Sequence, residues 1–131
     1  MAEIQRSSTG LSGEYFVAGE LLRRGYNVGI TMGNAKSIDI LAEKDGKKFI
    51  IQVKSIYKRQ HSGWPMMKDR VALKQFYVFV NLNGDKMSHP EYYIAKGKEA
   101  FDKVKQYSTR GIIDVGSLKG KRFLNRWDKI R

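Results

Sequence analysis

The chain has 131 residues, enough for one domain with a real core, and a composition of 41% hydrophobic and 29% charged residues with only two prolines, which marks a globular rather than a disordered protein. It holds no cysteine and two histidines, His61 and His89, excluding disulfides, thiolate catalysis and thiolate-bound zinc, and making a histidine metal site implausible. Lys and Arg number 25 against 13 Asp and Glu, a formal charge of +12 with a pI near 10.0, and a small domain this basic attracts polyanions. No basic amphipathic helix with a strong apolar face stands out and no run is long enough to span a membrane, so nucleic acid is the favoured partner and no membrane is expected. The first nine residues lack the apolar core of a signal peptide, which makes the cytoplasm the expected compartment.

In chain order, Ser7, Ser8, Thr9 and Ser12 offer N-caps for a helix over residues 13–24, with Gly25 as its stop. Glu14 lies in line with the apolar stripe of Val17, Ala18 and Leu21. One reading makes Glu14 an acid favoured in the first helical turn by the dipole, and another makes it part of a site. Residues 26–32 alternate as a strand, with Tyr26, Val28 and Ile30 on one face, and residues 33–36 form the turn that follows.

The stretch 37–55 is the organising one. Two β-branched-rich runs flank Asp45-Gly46, a strong hairpin signal because both turn residues must accept positive φ. With these as the loop, Lys44 faces Lys47, Glu43 faces Lys48, Leu41 faces Ile50 and Asp39 faces Gln52. One face carries Ile38, Ile40, Ala42, Phe49, Ile51 and Val53 and is wholly apolar. The other gathers Asp39, Gln52 and Lys54 on one patch.

Residues 55–68 have no clear period and read as a long exposed loop in which basic and aromatic residues interleave. Lys36, Lys58, Arg59, Trp64 and Lys68 are the candidate nucleic-acid contacts. The alternative folds Trp64 and the two methionines after it back onto the core. A short helix is expected over residues 69–75, then a strand at 76–82 buried on both faces, a strand at 91–95, and a helix at 98–107. The tail from residue 108 reads as a packed cap, with Phe123, Leu124, Trp127 and Ile130 among basic residues. The order predicts an α/β fold: one domain over 1–131 with a mixed central β-sheet flanked by helices.

An Asp on one strand, a Gln and a Lys two apart on the next, and a Glu from the preceding helix would make an oxygen-lined pocket with one ammonium, the kind of site magnesium takes. Asp39 would be the anchoring carboxylate, Gln52 an amide-oxygen ligand, and Lys54 the group that orients the attacking water and offsets charge on a phosphoryl group. An Asp and a Lys on a sheet face also make an ordinary cross-strand salt bridge.

At Gly13-Glu14, Ile38-Asp39-Ile40 and Gln52-Val53-Lys54, in that order, the chain resembles the PD-(D/E)XK nuclease superfamily, and most of all its Holliday-junction-resolvase-like and restriction-endonuclease-like branches. The resemblance implies a restriction-endonuclease-like core. It also implies a DNA endonuclease with Asp39, Gln52 and Glu14 as ligands of Mg2+, or of Mn2+ as the alternative ion, and Lys54 as the catalytic lysine. Ile38 stands in place of the family's proline and Gln52 in place of a carboxylate. The competing expectation is a nucleic-acid-binding domain that keeps the fold without hydrolysis, and a third is an assembly subunit with a merely solvated charge. A homodimer follows if both strands of a duplex or junction are cut, since one chain offers one active site.

Overall fold

The computed structural model describes residues 4–31, 39–59 and 63–131. Within them the hairpin forms as patterned. Asp45 and Gly46, both at positive φ, turn β2 (Ile40–Lys44) into β3 (Lys47–Ile56), and the register pairs Lys44 with Lys47, Glu43 with Lys48 and Leu41 with Ile50. Ile40, Ala42, Phe49, Ile51 and Val53 are buried together on one face.

Before this hairpin, α1 (Arg6–Arg23) leads through Gly25, at φ 93, into β1 (Asn27–Ile30), which pairs antiparallel with β2. The helix starts earlier than its serines and threonine suggest. Ser7, Ser8 and Thr9 lie inside it, as does Ser12, and the N-cap is Gln5 without a side-chain cap bond. Glu14 is therefore not in the first turn, and the dipole account of it does not hold. Val17, Ala18 and Leu21 press the helix onto the apolar face of the hairpin.

Beyond Ile51, β3 outruns β2 and pairs parallel with β5 (Phe76–Asn81), which pairs antiparallel with β6 (Glu91–Lys96). The result is a mixed five-stranded sheet in the order β1-β2-β3-β5-β6. As expected for a strand covered on both sides, β5 sends Val78 and Val80 to the α1 side and Tyr77 and Phe79 to the other.

That second side is covered by α2 (Gly97–Lys103) and a small antiparallel sheet of β4 (Gly63–Pro65), β8 (Gly111–Asp114) and β7 (Lys105–Gln106), in that order. Here the sequence expectations need correction. The second helix stops at Lys103 instead of running to 107, because Val104 turns into the core and Lys105 and Gln106 pair with Ile112 and Gly111. The expected helix over 69–75 is one 3₁₀ turn at Lys68–Arg70, after which the Tyr77 hydroxyl accepts the Ala72 N–H at 2.8 Å and holds the chain out of helical geometry. The expected loop over 55–68 is partly strand: β3 runs to Ile56, and Gly63 lies so close to the Ile113 backbone that a Cβ could not fit. In the tail, Phe123, Trp127 and Ile130 are buried as expected, whereas Leu124 is exposed.

Candidate functional site

Where β2 ends, the inner edge of β3 loses its strand partner, and Asp39 fills the gap. Its backbone carbonyl accepts the Thr31 N–H at 3.1 Å, continuing the β1–β2 ladder by one step, while its side-chain Oδ2 accepts the Val53 N–H at 2.8 Å. A carboxylate taken up by a sheet edge in this way is held in one place. Gln52 and Lys54 project from the neighbouring positions of β3 toward the side away from α1. They stand beside Tyr77 and Phe79, their register partners on β5. Gln52 donates its amide nitrogen to Gln75 Oε1 at 3.0 Å, which orients the amide.

Gln52 and Lys54 line an open cleft of about 810 Å³. The segment from Pro65 to Gln75 lines it with Met66, Met67 and Arg70, and the turn between β7 and β8 lines it with Thr109, Arg110 and Gly111. Burial pushes the Tyr77 phenol above its ordinary pKa. The Ala72 N–H draws it partly back, and the charge of Asp39 raises it again. Tyr77 thus stays a neutral hydroxyl at the cleft, within the electrostatic reach of Asp39. No ion pair joins Asp39 to Lys54 among the described residues, so the simple cross-strand salt bridge is not what places them.

Glu14 is buried on α1 and is not among the residues that line the cleft. Its neighbour Gly13 rests directly on Val53 and Ser55. Among the described residues no three of His, Asp and Glu gather as a metal site. Gln52, Gln75, Tyr77 and Thr109 bring side-chain oxygens to the cleft, and the Asp39 carboxylate is bound to the Val53 N–H between Gln52 and Lys54.

The expected nucleic-acid contacts divide. Trp64 is corrected: it is 1% exposed, packed on Phe79 and Tyr93, and donates its indole N–H to the Val80 carbonyl at 3.0 Å, so its ring offers no face to a base. Lys68 holds its ammonium 4.7 Å from the Phe101 ring centre. Arg59 is exposed and lies 3.6 Å from Glu91. Lys58 is half-buried, and Lys36 lies outside the described residues. Sequence reasoning missed Arg70 and Arg110. Neither sits in a periodic pattern, and only long-range pairing of β4 with β8 brings their segments to the cleft.

Sheet, helix and cleft together make a fold on which a nuclease is built. The structure of a bacterial homing endonuclease, I-Ssp6803I, is similar to this chain with a TM-score of 0.65, over 96% of this chain and 93% of that one, at 16% sequence identity. At that identity the likeness is one of fold. No family model and no curated protein matches the chain. No helix among the described residues is long and apolar enough to cross a membrane.

Proposed function

We propose that the chain is a metal-dependent DNA endonuclease of the PD-(D/E)XK kind, hydrolysing backbone phosphodiesters. The observation that carries this reading is that Gln52 and Lys54 of β3 line one cleft, while Asp39, just before β2, accepts the N–H of Val53 between them. The nuclease-like fold and the charge of +12 support it.

Hard oxygen donors, one carboxylate and one amide carbonyl, fit Mg2+ or Mn2+, which leave several positions to water and phosphate oxygens. Asp39 and Gln52 would hold the ion, with Glu14 a further candidate from α1, and the ion would supply charge neutralisation at the phosphate. Asp39 is placed by the Val53 N–H and Gln52 by Gln75, so both are set before substrate arrives. Lys54, with no ion-pair partner among the described residues, would offset the charge that builds on the phosphoryl oxygens and orient the attacking water.

A second reading is a DNA-binding domain without hydrolysis. That no three of His, Asp and Glu gather among the described residues favours it. Labelled single-stranded, duplex, flapped and four-way-junction DNA, incubated with Mg2+, Mn2+ or chelator, separates the two. Metal-dependent cutting that disappears in Lys54→Ala with DNA affinity nearly unchanged supports the nuclease. Full-rate cutting by Lys54→Ala overturns the mechanism, and binding without cutting under every condition leaves the second reading.

A further inference from the structure

Arg70 and Arg110 both line the cleft that Gln52 and Lys54 line, each from its own segment. Both are exposed, and among the described residues neither guanidinium nor the Lys54 ammonium has an ion-pair partner. Many cations elsewhere are neutralised: Lys105 by Asp114, Arg126 by Asp128, Lys98 by Asp102, and Lys129 and Arg122 by Glu99. Three unneutralised cations around one cleft attract a chain of phosphates rather than a single carboxylate.

The two segments are tied together by one side chain. Gln106 Oε1 accepts the Lys68 N–H at 2.8 Å, at the start of the 3₁₀ turn that carries Arg70. Its Nε2 donates to the carbonyls of Tyr107 at 2.7 Å and Arg110 at 3.2 Å, in the turn between β7 and β8. The Met66 N–H bonds the Gly111 carbonyl at 3.0 Å beside this staple, and Gly111 lies too close to the Met66 backbone for any larger residue. The relative placement of the two segments that carry the arginines is thereby fixed by backbone-directed hydrogen bonds.

We propose that Arg70 and Arg110, whose segments are tied together by the positioning residue Gln106, form a phosphate clamp that seats a DNA strand over Gln52 and Lys54. This rests on the nuclease reading of the same cleft. The arginines grip phosphates on either side of the one presented to Lys54, and Gln106 fixes the span between them. Arginine suits the task because its planar fork takes two phosphate oxygens at once.

The test is fluorescence anisotropy with a labelled duplex and a labelled single strand in chelator, over a range of salt, using Arg70→Gln, Arg110→Gln and Gln106→Ala. Lys119→Gln, an equal loss of charge at an exposed residue outside the cleft, is the control. Each arginine change should weaken binding about tenfold and lower the slope of log affinity against log salt by about 1, while Lys119→Gln changes the slope far less. Gln106→Ala keeps every charge, so a lowered salt slope in that variant reads the misplacement of the arginines. Arginine variants that bind no more weakly than Lys119→Gln overturn the clamp, and an unchanged slope in Gln106→Ala overturns its positioning role. With Mg2+ added, a clamp acting on binding raises KM and leaves kcat in place for both arginine variants. Failure of the nuclease reading shows separately, as absent cutting by the unaltered protein in the presence of the binding just described.

Discussion

The carboxylate of Asp39 accepts the Val53 N–H at 2.8 Å, just where β2 stops pairing with β3. One oxygen thus closes the sheet edge, and the charge of the group is the proposed anchor for the metal. The two roles separate by substitution. Asp39→Asn keeps a carbonyl oxygen for Val53 and should leave the urea midpoint almost unchanged, while metal-dependent cleavage falls by more than about a hundredfold. Asp39→Ala strands the N–H and should cost about 1–3 kcal/mol in addition. A strong loss of stability in Asp39→Asn, or full cleavage by it, contradicts this division.

Gly13 on α1 rests on Ser55 of β3, where a methyl group would stand 2.9 Å from the Ser55 Cβ and closer still to its hydroxyl. Alanine is the better helix former by about 1 kcal/mol. Overpacking costs about 1–3 kcal/mol, so Gly13→Ala should be destabilising on balance. The Ser55 hydroxyl is buried without a hydrogen-bond partner among the described residues, and Ser55→Ala alone should be neutral or stabilising. Adding Ser55→Gly to Gly13→Ala should recover part of the loss, a coupling of about 0.5–3 kcal/mol in a double-mutant cycle. Additive effects would place the helix farther from the strand.

What the sequence made legible was local. The hairpin register followed from alternation plus Asp45-Gly46, the buried face of α1 from periodicity, and the burial of β5 on both faces from its unbroken apolar run. The start of α1 was not legible, because Ser7, Ser8 and Thr9 are better caps than helix formers and the helix runs through them regardless. The small sheet was hidden for a different reason. Its strands are two to four residues long, too short for a period, and β4 finds its partner only after the chain has passed through β5, β6 and α2. The site divided along the same line. Gln52 and Lys54 share a strand and could be read from it, whereas Arg70 and Arg110 belong to separate segments joined by that sheet. Trp64 looked like an exposed aromatic only while its strand was taken for a loop.

Tyr92 is buried beside Trp127, and desolvation, assisted by the charge of Glu20 and opposed by Arg23 and Arg24, pushes its phenol up to about 12. An unfolded tyrosine ionises near 10. The folded state therefore binds this proton more tightly, so the contribution is fully present below pH about 10 and is lost as pH rises toward about 12. Burial raises Tyr26 in the same direction, with Arg24 opposing. Denaturant midpoints should fall through that alkaline window, and Tyr92→Phe should flatten the fall. An equally steep fall in Tyr92→Phe would assign the alkaline loss to other groups.

Trp64 separates core from interface most sharply. Its ring packs 5.3 Å from Phe79 and 5.8 Å from Tyr93, centre to centre, and its indole N–H is spent on Val80. Removing it opens a cavity between the main sheet and β8, and Trp64→Ala should cost about 3–5 kcal/mol. Trp64→Phe should cost less, since it keeps most of the packing but leaves the Val80 carbonyl without its donor, about 1–3 kcal/mol. In the folded Trp64→Phe protein, DNA affinity and its salt slope should equal those of the unaltered chain. A base-stacking tryptophan would show the opposite pattern: a loss of about 1–3 kcal/mol per base in binding with little change in the unfolding midpoint. Anisotropy titration and urea unfolding of the same Trp64→Phe preparation distinguish the two outcomes.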